Sequence, residues 1–158
     1  MDITFKTPEG RFNYRACAVI VHNERLLVMK DNRSPYFYLP GGRVLLHETA
    51  ESAVLREVRE ELGVEATIIR PLWMVQSFFV EDVTGEQFHE LCLYCLVDIT
   101  TTGLLSLGES FPGAESGKGQ QFTWLPFEQV EQAYLYPLFI KKHIHDLPKQ
   151  LTLLTENE

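Results

Sequence analysis

Residues Gly42–Val64 read GRVLLHETAESAVLREVREELGV. Apolar residues of this stretch recur at four-residue spacing, as on one side of an amphipathic helix, at Val54, Val58 and Leu62. Thr49 precedes this stripe as a candidate N-cap, and Gly63 follows it as a candidate C-terminal stop. The pattern therefore predicts one helix over residues 49–62.

Strand-like segments lie on both sides of this helix. Upstream of it, residues 15–22 and 25–30 flank Asn23 and Glu24 as a predicted hairpin. Downstream, the predicted elements are strands over 64–70 and 72–80 with a break at Pro71, a strand over 87–99, a long glycine-rich loop over 100–119, a last strand over 120–125, and helices that begin at Pro126 and near Pro137. This order predicts an α+β fold, an α/β/α sandwich in which a mixed β-sheet packs between helices.

The length and composition indicate one domain. The chain has 158 residues, of which 45% are hydrophobic, enough for one real core. We expect a single domain over 1–158 with its core at about 12–145, and a disordered tail over 152–158. No apolar run is long enough to span a membrane, and the N-terminus lacks the basic and apolar segments of a signal peptide. A cytoplasmic location is therefore expected.

The charge and the cysteines exclude several classes of function. The 22 acidic and 14 basic residues give a net charge of −8, which repels a phosphate backbone and argues against nucleic acid as a partner. A small phosphorylated ligand can still bind through a bridging cation. Cys92 and Cys95 stand three residues apart in a predicted strand and so point to opposite faces. Together with Cys17 they are predicted to be reduced, packed thiols.

Three glutamates lie close together on the predicted helix. Glu57, Glu60 and Glu61 have the i, i+3, i+4 spacing of helix neighbours, and the small residues Ala50 and Ala53 share their side. Carboxylates are hard oxygen donors of the kind that Mg²⁺ and Mn²⁺ prefer. The cluster alone fits two interpretations equally well, a solvated charged surface and a metal site.

The wider spacing decides between them. Gly42 is followed after five residues by Glu48, and after seven more by Arg56, Glu57 and the rest of the motif to Val64. This pattern matches the Nudix box at every defined position, so the chain resembles the Nudix hydrolase superfamily. The resemblance implies a mixed sheet between helices. It also implies one to three Mg²⁺ or Mn²⁺ ions, held by the glutamate cluster with the carbonyl of Gly41 or Gly42.

The resemblance also assigns roles to single residues. It pairs Arg56 with Glu48 to orient the loop against the helix, and it makes Glu57 our first choice for the general base that deprotonates the attacking water. The expected substrate contacts are Gly41, Gly42, Tyr38, Phe79 and Glu90. Many members carry an extra glutamate where this chain has Gln121, which leaves Glu90, Glu109 and Glu115 as candidate substitutes.

The activity implied is metal-dependent hydrolysis of a phosphoanhydride in a nucleoside diphosphate linked to another group. Residues 79–82 lack the subfamily marks for ADP-ribose, NADH or diadenosine polyphosphates, which favours a free nucleotide or a nucleotide sugar. Two alternatives stay open: a non-catalytic domain that senses nucleotide or ADP-ribose, and a pyrophosphohydrolase of RNA 5′ ends. Dimers are common in the family, so a homodimer is a further expectation.

Overall fold

Ten strands and three helices make up the fold in a computed structural model that describes all 158 residues. The strands are β1 (Thr4–Thr7), β2 (Gly10–Val19), β3 (Val21–His22), β4 (Arg25–Lys30), β5 (Gly41–Arg43), β6 (Thr67–Val80), β7 (Gln87–Asp98), β8 (Ser110–Pro112), β9 (Gln121–Pro126) and β10 (Thr152–Asn157). The helices are α1 (Ala50–Leu62), α2 (Phe127–Val130) and α3 (Ile140–His143), and a 3₁₀ turn spans Leu104–Leu107.

The strands form two sheets. The larger sheet has the order β1-β2-β7-β6-β10, with β5 paired to β2 beyond the end of β1, and the smaller sheet has the order β3-β4-β9-β8. The larger sheet is mixed, because β2 runs parallel to β7 and β10 runs parallel to β6, whereas β6 and β7 are antiparallel.

Apolar residues fill both sides of the larger sheet. One core cluster joins Ala16, Leu93 and Cys95 of the sheet to the buried stripe of α1. The second cluster lies on the opposite side of the same strands and includes Ile140 of α3 and Val130 of α2. The predicted α+β fold, with a mixed sheet between helices, is confirmed.

Helix α1 begins and ends where its sequence predicts. The side chain of Thr49 accepts a hydrogen bond from the Ser52 N–H at 3.1 Å, which satisfies one of the free donors of the first turn. Gly63 ends the helix with φ 71°, a left-handed conformation that glycine adopts without steric penalty. The hairpin is confirmed as well, since Asn23 and Glu24 both have positive φ, as its two-residue turn requires.

The predicted break at Pro71 is wrong. One strand, β6, continues through this proline, and its register against β7 shifts between Ile68 and Arg70 and again between Pro71 and Trp73. Proline has no backbone N–H to donate to a neighbouring strand. The missing hydrogen bond is tolerated here because the register of β6 against β7 is irregular on either side of Pro71.

The predicted disorder of the tail is also wrong, because Thr152–Asn157 pairs with β6 as a parallel strand. The prediction rested on the polar composition of the tail, which does not reveal that β6 has a free backbone edge with which the tail can pair. Leu154 of the tail also packs against the second core cluster. The last helices are shorter than predicted, with four residues each in α2 and α3. The loop 100–119 contains the 3₁₀ turn and β8.

The three cysteines are free and buried, as predicted. Cys95 lies in the core cluster beneath α1, whereas Cys92 faces the other side and its Sγ lies 3.6 Å from that of Cys17. None of the helices combines the length and the apolar character that crossing a bilayer requires.

Candidate active site

The glutamate cluster lies on the edge of α1 that faces β5. Its spacing turns the three side chains to one side of the helix, but their exposure differs greatly. Glu61 is 4% exposed and Glu57 is half-buried, whereas the side chain of Glu60 is 46% exposed. Ala50 and Ala53 are buried on the same side, where they bring the helix close to the sheet.

Two glycines of β5 receive these carboxylates. The backbone N–H of Gly41 donates a hydrogen bond to Glu61 Oε1 at 3.0 Å. A Cβ atom on Gly42 would overlap the carboxylate of Glu57, and one on Gly41 would lie 2.5 Å from the backbone oxygen of Ala16. The absence of side chains at both positions therefore lets strand and helix approach each other at the carboxylates.

Arg56 ties the helix to the loop before it. Its Nε and Nη2 donate to the two oxygens of Glu48 at 2.8 and 2.9 Å, and Nη2 also donates to the carbonyl of Arg43 at 3.0 Å. Nη1 donates to Glu57 Oε1 at 2.9 Å and to Glu60 Oε1 at 3.4 Å. The structure thus brings together Arg56 and Glu48, which the sequence predicted to pair, and adds contacts to two of the clustered glutamates.

Burial and mutual repulsion dominate the electrostatics of the cluster. Burial, followed by the charge of Glu57, raises the pKa of Glu61 to about 9. Burial also raises the pKa of Glu57, against the opposing effect of Arg56. Hydrogen bonds from Arg56 lower the pKa of Glu48. Two buried carboxylates side by side thus favour sharing one proton, unless a cation neutralises them.

The donor chemistry of the cluster fits a hard divalent cation. Three carboxylates stand beside Gly41 and Gly42, which carry no side chains, and Glu61 is buried with the single hydrogen bond from Gly41. No three acidic, histidine or cysteine side chains converge as metal ligands in this conformation, in which Glu57 and Glu60 both face Arg56 Nη1. A rotation of these two flexible side chains away from Arg56 would complete an oxygen donor set.

The other predicted contact residues lie at different places. The hydroxyl of Tyr38 donates to Asp31 Oδ2 at 2.7 Å, and Glu61 is among the charges that raise its pKa after burial and Asp31. Phe79 stacks on Phe88 with ring centroids 5.1 Å apart. It lines a concave region of about 730 Å³ at the far end of the sheet, whose lining includes none of the clustered glutamates.

The three candidate substitute acids also differ. Glu90 is buried in β7, and its nearest polar partners are Asn13 and Arg15 of β2. Glu109 is exposed and pairs with Arg25 at 2.9 Å on the smaller sheet. Glu115 lies in the loop 113–120, near the C-terminal end of α1.

Sequence reasoning missed Asn13 and Arg15. Both lie in β2, and Arg15 stands opposite Arg43, the residue that follows the two glycines of β5. The one signal in the sequence is the alternation of polar and aromatic residues over 11–15, ahead of the apolar part of the strand. That signal has no meaning until the register of β2 against β5 and β7 is known.

Comparison with known proteins gives a consistent result. The family described as the NUDIX domain matches residues 12–147. An ADP-ribose pyrophosphatase of Methanocaldococcus jannaschii is 32% identical over 100 residues, which are 61% of this chain and 56% of that protein. A Bacillus subtilis protein provisionally named as an 8-oxo-dGTP diphosphatase is 42% identical over 79 residues, or 44% of this chain and 53% of that protein. This chain spans just over half the length of these two relatives.

Solved structures share the fold at low sequence identity. A MutT protein from Bacillus halodurans superimposes with a TM-score of 0.63 and 14% identity, covering 92% of this chain and 89% of that one. A NUDIX family hydrolase from Clostridium perfringens superimposes with a TM-score of 0.57 and 17% identity, covering 85% of this chain and 96% of that one. At these identities the similarity establishes the arrangement of strands and helices alone.

Proposed function

Because the chain belongs to the NUDIX domain family, we propose that it is a Mg²⁺- or Mn²⁺-dependent pyrophosphohydrolase. Its substrate would be a nucleoside diphosphate linked to another group. The observation that carries the proposal is the contact of α1 with β5, where Glu61 accepts the Gly41 N–H and Glu57 abuts Gly42. A domain that only binds nucleotide has no need to bury two acidic side chains at such a contact.

Within this class we favour a free nucleotide or a nucleotide sugar as substrate. Two of the related proteins are named for 8-oxo-dGTP and ADP-ribose, so both kinds of nucleotide belong in the first test. The three unpaired thiols fit a reducing compartment, and we therefore propose a cytoplasmic location. A homodimer is also proposed from the family resemblance, and light scattering after size-exclusion chromatography tests it.

The proposed reaction is attack of water on a phosphorus of the anhydride. The water oxygen forms a bond to phosphorus, and the bridging oxygen leaves with its bonding electrons as part of a second phosphate product. Glu57 accepts the proton of the water, since its carboxylate stands at the contact with β5 and burial raises its pKa. Arg56 acts indirectly, because its bonds to Glu48 and to the Arg43 carbonyl fix α1 against the loop.

The carboxylates of Glu57, Glu60 and Glu61, with the carbonyl of Gly42, would hold the Mg²⁺ or Mn²⁺. When bound, the ion supplies neutralisation of the substrate's phosphate charge and lowers the pKa of a bound water.

The experiment is turnover of a substrate panel with Mg²⁺ or Mn²⁺. The panel contains nucleoside triphosphates, nucleotide sugars, ADP-ribose and 5′-triphosphorylated RNA. Glu57→Gln and Glu60→Gln are compared with Glu65→Gln, a matched control in which the substituted side chain is 74% exposed. We expect metal-dependent release of a nucleotide, a loss of about 10²-fold or more in the two cluster variants, and full activity in the control.

Two results would contradict the proposal. Tight nucleotide binding without turnover, unchanged in Glu57→Gln, would identify a sensor domain. Turnover confined to 5′-triphosphorylated RNA would identify the second alternative, an RNA 5′-end pyrophosphohydrolase.

A further inference from the structure

A row of polar side chains lies on the larger sheet, on the side opposite α1 and next to the strand β5 that contacts the glutamate cluster. Asn13 of β2 stands opposite Glu90 of β7, and Arg15 stands two residues farther along β2 on the same side. Arg15 is also opposite Arg43 of β5, the residue that follows Gly42. This side of the sheet is the one that faces away from α1, because Cys17 and Cys92, which continue the alternation, belong to the second core cluster.

The row approaches the cluster through the pairing of β2 with β5. Cys17, two residues beyond Arg15 on the same side of β2, is paired with Gly41, whose N–H donates to Glu61 Oε1. The row therefore lies next to the strand that contacts the cluster.

Glu90 is a buried carboxylate with few partners. The residue is 8% exposed, and its one hydrogen bond is a long one, from Asn13 Nδ2 to Oε2 at 3.4 Å. The other oxygen, Oε1, lies 3.7 Å from Arg15 Nη1, beyond hydrogen-bonding distance. An ionised carboxylate accepts about four hydrogen bonds, and a buried one normally finds them. Glu90 therefore has unused acceptor capacity.

Hydrogen bonds within the row fix Asn13, the partner of Glu90. Thr4 Oγ1 donates to Asn13 Oδ1 at 2.6 Å, and Arg11 Nη1 donates to Thr4 Oγ1 at 3.3 Å. With its oxygen engaged, Asn13, itself 4% exposed, presents its NH₂ group to Glu90. The amide of Asn13 is therefore preorganised beside a carboxylate whose remaining lone pairs can accept hydrogen bonds from a ligand.

The neighbour of Glu90 indicates which ligand chemistry fits. A second metal ion at Oε1 would stand beside the guanidinium of Arg15, and like charges in a half-buried place repel strongly. Neutral N–H or O–H donors meet no such repulsion. Arg15 itself is 31% exposed and makes no hydrogen bond with its charged group, so it is available to an anion such as a phosphate.

We propose that Glu90 is a specificity-determining residue that accepts two hydrogen bonds from the nucleoside part of the ligand, while Arg15 binds one of its phosphates. The inference rests on the proposed function, because the nucleoside is part of the proposed substrate. The chemistry is a pair of adjacent donors. Guanine offers such a pair at its N1–H and amino group, and ribose offers one in its two hydroxyls.

The test is the binding of product nucleotides in the presence of Mg²⁺, measured by calorimetry. The probes are GMP, IMP, AMP and 2′-deoxy-GMP, and the proteins are the wild type, Glu90→Gln and the control Glu65→Gln. If guanine supplies the donors, GMP binds more tightly than IMP and AMP; if ribose does, the three ribonucleotides bind alike and 2′-deoxy-GMP binds more weakly. In both cases Glu90→Gln weakens the best ligand at least about tenfold, and Glu65→Gln has no effect.

The same series tests whether Arg15 binds the phosphate, and it includes a second Glu90 variant in case the first does not fold. Arg15→Lys weakens GMP but leaves guanosine binding unchanged, since guanosine lacks the phosphate. If Glu90→Gln does not fold, Glu90→Asp, which keeps the charge and withdraws the carboxylate by one methylene, replaces it with the same expected loss.

Three results would overturn the inference: unchanged nucleotide affinity in the folded Glu90 variant, no binding of these nucleotides by the wild type, or weaker Mn²⁺ binding by the variant without nucleotide. The last would make Glu90 a metal ligand. Because binding is measured without turnover, an inactive wild type that still binds nucleotide through Glu90 would refute only the proposed hydrolysis.

Discussion

Gly41 and Gly42 are adjacent, yet a side chain at each would meet different atoms. At Gly42 a Cβ would meet the tip of Glu57, which can rotate away, whereas at Gly41 it would meet the backbone of Ala16 and Cys17, which cannot. We expect Gly42→Ala to lower kcat/KM about 10²-fold with little change in stability, because it displaces the proposed general base. Gly41→Ala is expected to lower the free energy of unfolding by about 1–3 kcal/mol.

Gly103→Ala is the matched control for both variants. Nothing lies within 4 Å of a Cβ at Gly103, and its φ of −81° suits any residue. Kinetics and thermal melts of the three variants check the prediction. A fully active Gly42→Ala would show that the position of Glu57 is unimportant for the reaction.

The raised pKa of Glu61 predicts how the metal-free protein responds to pH. The folded state binds the Glu61 proton up to a pKa of about 9, whereas the unfolded chain releases it near the ordinary value of 4.5. The stabilisation is therefore complete below about pH 4.5 and is lost as the pH rises toward 9. Between pH 6 and 9 in EDTA, we expect the Tm to fall by roughly 10 °C.

Glu61→Gln is expected to flatten this dependence, because an amide does not titrate. Saturating Mg²⁺ should flatten it in the wild type as well, since a bound cation stabilises the ionised carboxylates. Calorimetric melts across the pH range measure the slope. A Glu61→Gln variant with the slope of the wild type would assign the pH dependence to other groups.

At the scale of elements, β10 should contribute to stability through one side of the strand. Leu154 packs against the second core cluster, whereas Leu153 points away from it and is 65% exposed. Leu154→Asp is expected to lower the free energy of unfolding by about 2 kcal/mol, and Leu153→Asp by less than about 0.5 kcal/mol. Urea titrations of both variants measure the difference, and equal losses would mean that β10 is not packed as described.

The elements differ in how far their sequences predict them. Helix α1 is predictable because its cap, its apolar stripe and its terminal glycine are all local signals. The pairing of β10 with β6 is not local, since β6 offers its edge only once the sheet has formed. Glu90 could be identified as a candidate, but its partner Asn13 is 77 residues away in sequence and is identified only by the register of β2 against β7.

At the scale of the whole molecule, the net charge of −8 separates small substrates from long ones. A polynucleotide meets repulsion along its length, whereas a nucleotide meets mainly the charge of the site. We expect kcat/KM for a 5′-triphosphorylated RNA to be at least about tenfold below that for a nucleoside triphosphate. The kcat/KM for RNA should rise as added salt screens the repulsion. A kcat/KM for RNA that exceeds that for the nucleoside triphosphate, and that falls as salt is added, would point to a local basic groove.

If the glutamates of α1 promote attack of water on a phosphoanhydride, the oxygen of that water must enter a product. Mass spectrometry of the products formed in H₂¹⁸O with Mg²⁺, from the best substrate of the panel, measures this. We expect one ¹⁸O atom in one of the two phosphorylated products of each turnover, and about 10²-fold less labelled product from Glu57→Gln in the same time. A substrate that binds but returns unlabelled and uncleaved from the wild type would contradict this mechanism.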